Sequence, residues 1–202
     1  MSIFLNRKSV RNYDENFKIP RSELNEMLEL ALRAPSSMNL QPTRMIVVES
    51  KEAKEKIKPH MFGNILQLDT SSAFIIIATD LNKFETGIKV FSDSEHLGFL
   101  PKEVANRQKE IIKERNNNYN KARILNEGYL DGGLLAMQLM LVAKEYGYDT
   151  CPIAGFNKKT ILSALNISDE NLQPILIVSL GKAKEPGYDS YRIGLDDAVK
   201  YY

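Results

Sequence analysis

The pentapeptide Arg7-Lys8-Ser9-Val10-Arg11 alternates two guanidiniums and a hydroxyl with a lysine and a valine. In an extended chain Arg7, Ser9 and Arg11 point to one side and Lys8 and Val10 to the other. Two guanidiniums flanking a hydroxyl can seat a phosphate, because planar forks give charge-assisted hydrogen bonds and the hydroxyl adds a neutral donor. The same residues would also serve as a solvated basic turn. In "GNILQ", Asn64 and Gln67 each offer a donor and an acceptor, suited to the uracil-like edge of a ring or equally to capping a loop. In "CPIAGF", the proline and glycine around Ala154 let backbone N–H groups meet a closely approaching ligand, or simply make a turn. The stretch "APSSMNLQPT" is longer and richer in hydrogen-bonding groups than a plain connection needs.

These groups must be placed by secondary structure. "SELNEMLELALRAP" sets Leu24, Met27, Leu28 and Ala31 at helical spacing, starting near Pro20 or Ser22 and ending at Pro35. "RMIVVE" and "AFIIIATD" read as buried strands, separated by the charged helix "SKEAKEKIKP" with Ser50 as N-cap. Residues 84–120 form a charged helical excursion at the periphery. From Asn120 to Gly147 runs the strongest helix, with Leu130, Leu134, Met137 and Leu141 on one face, apolar neighbours widening it, and Gly147 as the stop. A helix buried round most of its circumference suits a dimer interface. A short helix "NKKTILSALN", the strand "PILIVSLG" and a polar tail with Tyr191, Tyr201 and Tyr202 follow. With at most four apolar runs, no repeat and no linker, residues 1–202 read as one α+β domain.

Composition excludes several classes. The balance of 27 basic and 26 acidic side chains leaves no broad electrostatic footprint for nucleic acid. One cysteine, Cys151, forbids an internal disulfide and suits a reducing compartment. With His60 and His96 far apart, no metal site is expected. No segment reads as a secretory signal or a bilayer span, so a cytoplasmic protein without membrane contact is expected. There is no P-loop and no Gly-rich dinucleotide fingerprint.

Taken in order, "RKSVR", "APSSMNLQP", "FGNILQLDTSSA", "PIAGF" and "SYRIG" resemble the nitroreductase family of FMN-dependent enzymes that use NADH or NADPH. The resemblance implies an α+β fold, with a central mixed or antiparallel sheet of four to five strands wrapped by helices. It also implies an intertwined homodimer, with residues 183–202 embracing the partner and the flavin at the subunit interface. It implies that Arg7 and Ser9 bind the FMN phosphate with help from Arg192, and that Lys8 contributes mainly through its backbone. Arg11 would reach the N1/O2 side of the ring, and Asn64 and Gln67 the pyrimidine edge and ribityl chain. Ala154 and Gly155 would present N–H groups to N5 and O4, with Pro152 and Ile153 packed on a ring face. Pro35, Ser36, Ser37 and Asn39 would cover the dimethylbenzene side from the second subunit.

The activity implied is hydride transfer from NAD(P)H to flavin N5, then ping-pong delivery of electrons to a nitroaromatic, quinone or similar electrophile. No protein side chain is then the catalytic group, because the flavin carries the chemistry. A guanidinium at Arg11 would stabilise the negative charge that two-electron reduction places near N1. The alternatives are a non-catalytic flavin-holding or redox-sensing protein, and dehalogenation or ene reduction on the same fold. Three positions depart from the family pattern: Thr43 where an aromatic is expected, Gln67 where some relatives carry lysine, and Ala154 where some carry glutamate. Cys151 adjoins the flavin loop and reads as a buried structural thiol. In the excursion, residues 91–100 are expected to form a mobile cover with Phe91 or Phe99 lining the acceptor pocket, or else a hairpin remote from it.

Overall fold

Strand β2 (Ala73–Asp80) is buried at every residue but the last, so both its faces need a covering layer. The computed structural model, which describes residues 2–202, supplies both. Ile75 and Ile77 join a core with Leu24, Met27, Leu135 and Leu139, from helices α2 (Arg21–Ala31) and α7 (Lys121–Glu145). Phe74 and Ile76 face the opposite way, toward Ile57 of α3 (Lys51–Ile57), Leu68 of α4 (Ile65–Thr70), Phe156 and Ile161. The period-two alternation of one strand thus sets two cores back to back.

The sheet has four strands in the order β1-β2-β4-β3, with β1 at Thr43–Val48, β3 at Asp149–Ile153 and β4 at Leu172–Gly181. All pairings are antiparallel, which narrows the expected mixed or antiparallel sheet to the antiparallel case. The sequence reading assigns no strand before the Ala154 loop; the structure makes Asp149–Ile153 the edge strand β3, where Pro152 is tolerated because no ladder bond is needed on one side. Ser50 caps α3 through a 3.1 Å bond from the Ala53 N–H, and Gly147 ends α7 at φ +81°. α2 stops at Ala31, ahead of Pro35.

Two expectations are corrected. "NKKTILSALN" makes turns and a short 3-10 segment (Ser163–Leu165) rather than an α-helix. The inner face of α7 is not the Leu130 stripe but Gly128, Asp131, Gly132, Leu135, Ala136, Leu139, Met140 and Ala143. Leu130, Leu134 and Met137 are exposed at 71%, 48% and 41%. The helix carries two apolar stripes, and the glycine-rich one goes inward because it lets α7 approach the sheet closely. Added Cβ atoms would lie 2.4 Å from Thr79 Oγ1 at Gly128 and 1.9 Å from Ile175 Cδ1 at Gly132.

The excursion folds as α5 (Lys83–His96) and α6 (Lys102–Asn118), packed on each other, with a third apolar cluster of Leu40, Phe84, Phe91 and Ile112. Phe91 is therefore a core residue rather than the lining of an open pocket, while Phe99 is exposed in the turn between the helices. Lys83, fully buried, pairs with Glu127 of α7 and lies over the Phe84 and Tyr119 rings. One turn along α7 from Glu127, Asp131 accepts the Ser37 N–H at 2.9 Å.

Gly128→Ala gains helix propensity but drives a methyl into the β-branched Thr79, so a net loss of about 1–3 kcal/mol in urea unfolding is expected. Burial raises the Asp131 carboxyl above its ordinary value, opposed by the Ser37 N–H and Lys83 and reinforced by Glu127. An acid raised in the folded state costs stability as pH climbs from its unfolded value of 3.8 through the folded one. Asp131→Asn removes that dependence, so its melting temperature relative to wild type should be higher at pH 7 than at pH 4.

Candidate functional site

The free side of edge strand β3 takes up the N-terminal segment. Ser9 bridges Thr150 in parallel, and the Val10 N–H donates to the Thr150 carbonyl at 3.0 Å. Val10 and Tyr13 are buried, and the Tyr13 hydroxyl donates to the Val10 carbonyl and shares a bond with Ser179 Oγ, each at 2.8 Å. Burial lifts the Tyr13 phenol far above its ordinary value, which keeps it a neutral donor. With Val10 turned inward, the alternation puts Arg7, Ser9 and Arg11 on the other side of the segment that runs beside β3. Burial pushes the Cys151 thiol up, against the pull of Arg11, Gln67, Ser9 and Arg7, so Cys151 is a protonated structural residue. Lys8, on the other side, pairs with Asp189 of the tail at 2.5 Å.

Asn64 sits left-handed at φ 58° before α4, a conformation asparagine tolerates. Its Oδ1 accepts from Nε2 of the buried Gln67 at 3.0 Å, which leaves the Asn64 amide N–H groups and the Gln67 carbonyl for a ligand. A Cβ on Gly155 would lie 3.5 Å from Asn64 Nδ2, so the loop after β3 and the start of α4 are neighbours. The carbonyls of Ala154 and Gly155 accept from Phe156 and Phe62, but their own N–H groups meet no acceptor among the described residues. Pro152 is half-buried and Ile153 belongs to the core beneath. Lys54 of α3 donates to the Ser71 carbonyl at the end of α4, which ties down the helix bearing Gln67; burial pulls its ammonium down to about 8.

Ser9 and Arg11 line a groove of about 450 Å³ with Asn12, Leu66 and residues 185–188 of the tail. Its volume suits a cofactor-sized ligand. Among the described residues neither Arg7 nor Arg11 has a carboxylate partner. Two unpaired guanidiniums, a hydroxyl, an amide pair and two free backbone N–H groups thus converge from three chain segments. The donor set fits an anion joined to a ring edge rich in acceptors. Leu66 and the tail wall went unnoticed in the sequence, because each is an ordinary residue brought here only by the fold.

Arg192 does not join this set within one chain. The tail passes Lys8 and Ser9 so tightly that a Cβ on Gly187 would stand 2.8 Å from Lys8 Cβ, but beyond Asp189 it is exposed. The Arg192 guanidinium bonds only its neighbours, Ser190 Oγ at 2.7 Å and the Tyr191 carbonyl at 2.9 Å. Pro35, Ser36, Ser37 and Asn39 also stand apart. Their loop lies over the inner face of α7, with Met38, Asn39 and Gln41 all at positive φ. Left-handed non-glycine residues cost on the order of 1 kcal/mol each, a kind of strain that concentrates at functional sites. Pro35 and Ser36 line a small cavity of about 100 Å³ with Arg44, Asp131 and Leu135. Asp131 was missed from sequence because, one turn beyond Glu127, it reads as another surface charge of α7.

Among the described residues no cluster of acids, histidines or cysteines could hold a metal, and no helix is long and apolar enough to cross a membrane. The model of the nitroreductase family matches residues 5–182. YdgI of Bacillus subtilis (strain 168), provisionally named an NAD(P)H nitroreductase, is 41% identical over 100% of this chain and 96% of its own. The CLA biosynthesis enone reductase of Lactiplantibacillus plantarum is 30% identical over 91% of this chain and 85% of its own. A provisionally named nitroreductase of Exiguobacterium sibiricum 255-15, solved in complex with FMN, superposes with a TM-score of 0.95 at 36% identity, covering 99% of this chain and 95% of that one. A family model matched over most of the chain, together with likeness of this extent in sequence and fold, places the chain in the nitroreductase family.

Proposed function

We propose that the chain is an FMN-dependent oxidoreductase that takes hydride from NADH or NADPH and passes electrons to a nitroaromatic, quinone or similar flat electrophile. Both substrates would use one pocket in turn. The observation that carries this reading is the pair of guanidiniums, Arg7 and Arg11, left without counter-ions beside two unengaged backbone N–H groups. The FMN bound by the Exiguobacterium protein supports it. When bound, FMN would supply the two-electron chemistry, accepting hydride at N5. Arg7 and Ser9 would hold its phosphate, with Lys8 contributing backbone. Arg11 would favour negative charge on the pyrimidine side, and Asn64 and Gln67 would fix that edge. Ala154 and Gly155 would donate toward N5 and O4 above Pro152 and Ile153. Gln67, being neutral, stabilises an anionic ring less than a lysine there would. The similarity to an enone reductase favours a second class of acceptor, an activated carbon–carbon double bond.

The reading includes a homodimer. The Pro35–Asn39 loop and Arg192 are remote from the groove within one chain, which is the arrangement expected if each completes its partner's site. The exposed stripe of Leu130, Leu134 and Met137 offers a face for a second copy, and the exposed Tyr191 and Ile193 make the end of the tail an apolar arm without a resting place on its own subunit.

Titration of the protein with FMN should give saturable binding, and the bound flavin should bleach anaerobically with NADH or NADPH. Arg7→Ala and Arg11→Ala should each raise the FMN Kd about 10- to 100-fold, the loss of roughly 1.5–3 kcal/mol for a hydrogen bond to a charged group. Protein that takes up no FMN, or arginine variants that bind as wild type, would overturn the assignment. Leu134→Glu should sediment as a monomer and lose FMN with the partner's loop; a monomeric wild type that holds flavin and turns over would end the dimer proposal.

A further inference from the structure

The loop from Pro35 to Gln41 stands over the cavity of about 100 Å³, so part of it has no packed floor. Its braces are mostly internal: Ser36 Oγ accepts the Gln41 N–H at 3.0 Å, and Gln41 Nε2 donates to Asn39 Oδ1 at 3.1 Å. Met38 and Leu40 fasten one side to the Phe84, Phe91 and Ile112 cluster. The entry is tied to α7 by the bond from the Ser37 N–H to Asp131 Oδ1. Asp131 is 4% exposed, and its Oδ2 has no partner among the described residues. The charges around it are committed elsewhere. Lys83 of α5 pairs with Glu127 of α7, and Arg44 of β1 donates to the Gln41 and Thr43 carbonyls, Asp80 and Thr86.

A buried carboxylate with one hydrogen bond is a costly way to hold a single amide. What it provides is a stronger bond than a neutral acceptor gives, at the entry of a loop with three left-handed residues. We infer that Asp131 is a positioning residue: through Ser37 it fixes the height of the loop whose residues Pro35–Asn39 close the partner's site. The inference rests on the reading of that loop as the cofactor's cover. Asp131 touches neither cofactor nor substrate; it acts through the backbone of Ser37.

The test uses the holoprotein of wild type, Asp131→Asn, Asp131→Leu and Ser37→Pro. Ser37→Pro deletes the donor while leaving Asp131 in place, and Ser36 is already in the extended conformation that a following proline requires. Two quantities are read: amide exchange of residues 36–41, and steady-state kinetics with 1,4-benzoquinone and 4-nitrobenzoate. Asp131→Asn keeps a weaker, neutral acceptor for Ser37 and should fall between wild type and Asp131→Leu, within about fivefold of wild type in exchange and acceptor KM. Asp131→Leu should speed loop exchange at least tenfold and raise acceptor KM about tenfold, with kcat little changed, whereas Ser37→Pro, which alters the cover itself, is read by loop exchange alone and should speed it at least tenfold. Should Asp131→Leu not fold, loop exchange in Ser37→Pro decides alone. Exchange unchanged in these two variants, acceptor KM unchanged in Asp131→Leu, or Asp131→Asn behaving like Asp131→Leu, would overturn the inference. A wild type that takes up no FMN would remove the functional reading and with it the role in reaction, while exchange would still report whether Asp131 holds the loop.

Discussion

The site depends on one backbone bond, from the Val10 N–H to the Thr150 carbonyl on the open edge of β3. It lays the N-terminal segment alongside the strand that leads into Ala154 and Gly155, so two distant parts of the chain face one another in fixed register. Tyr13 locks the arrangement from beneath, since its buried hydroxyl ties the Val10 carbonyl to Ser179 of β4. An edge strand normally presents a hazard, a row of unpaired groups open to other chains. Here the edge is used to align cationic side chains with backbone donors.

Much of this was readable from residue order. The alternation in Arg7–Arg11 was enough to say which side chains share a face, because an extended chain has a period of two whatever surrounds it. β1, β2 and β4 were readable as apolar runs, and α3 from its serine cap. The strand at Asp149–Ile153 was not, because Pro152 argues against a strand unless one knows that it lies at an edge. The choice between the two stripes of α7 was not readable either. Hydropathy favours Leu130, Leu134 and Met137, but the sheet selects the stripe with Gly128 and Gly132, since only there can Thr79 and Ile175 fit. Close approach outweighed hydrophobicity, and propensity scales contain no term for it.

The candidate site draws its proposed ligand groups from motifs visible in the sequence, whereas their supports were not visible there. Asp131 and the Lys83–Glu127 pair look in the sequence like surface charges on amphipathic helices; only the fold, which sets Lys83 beside Glu127 and lays the Ser37 loop over Asp131, takes them out of water. The strain in the loop above them is equally invisible, because Met38 and Gln41 carry no sign that their φ angles are positive. Groups that bind a ligand are chosen by chemical type and announce themselves. Groups that hold those groups in place are chosen by position.

The tight seat of Gly187 against Lys8 and Ser9 makes the tail a wall of the groove rather than an appendage. Residues 185–188 and the cations across from them lie far apart in sequence, so the groove is complete only when the tail has closed on the N-terminal segment. A loosened tail would open the groove while both cores of the sheet stay packed.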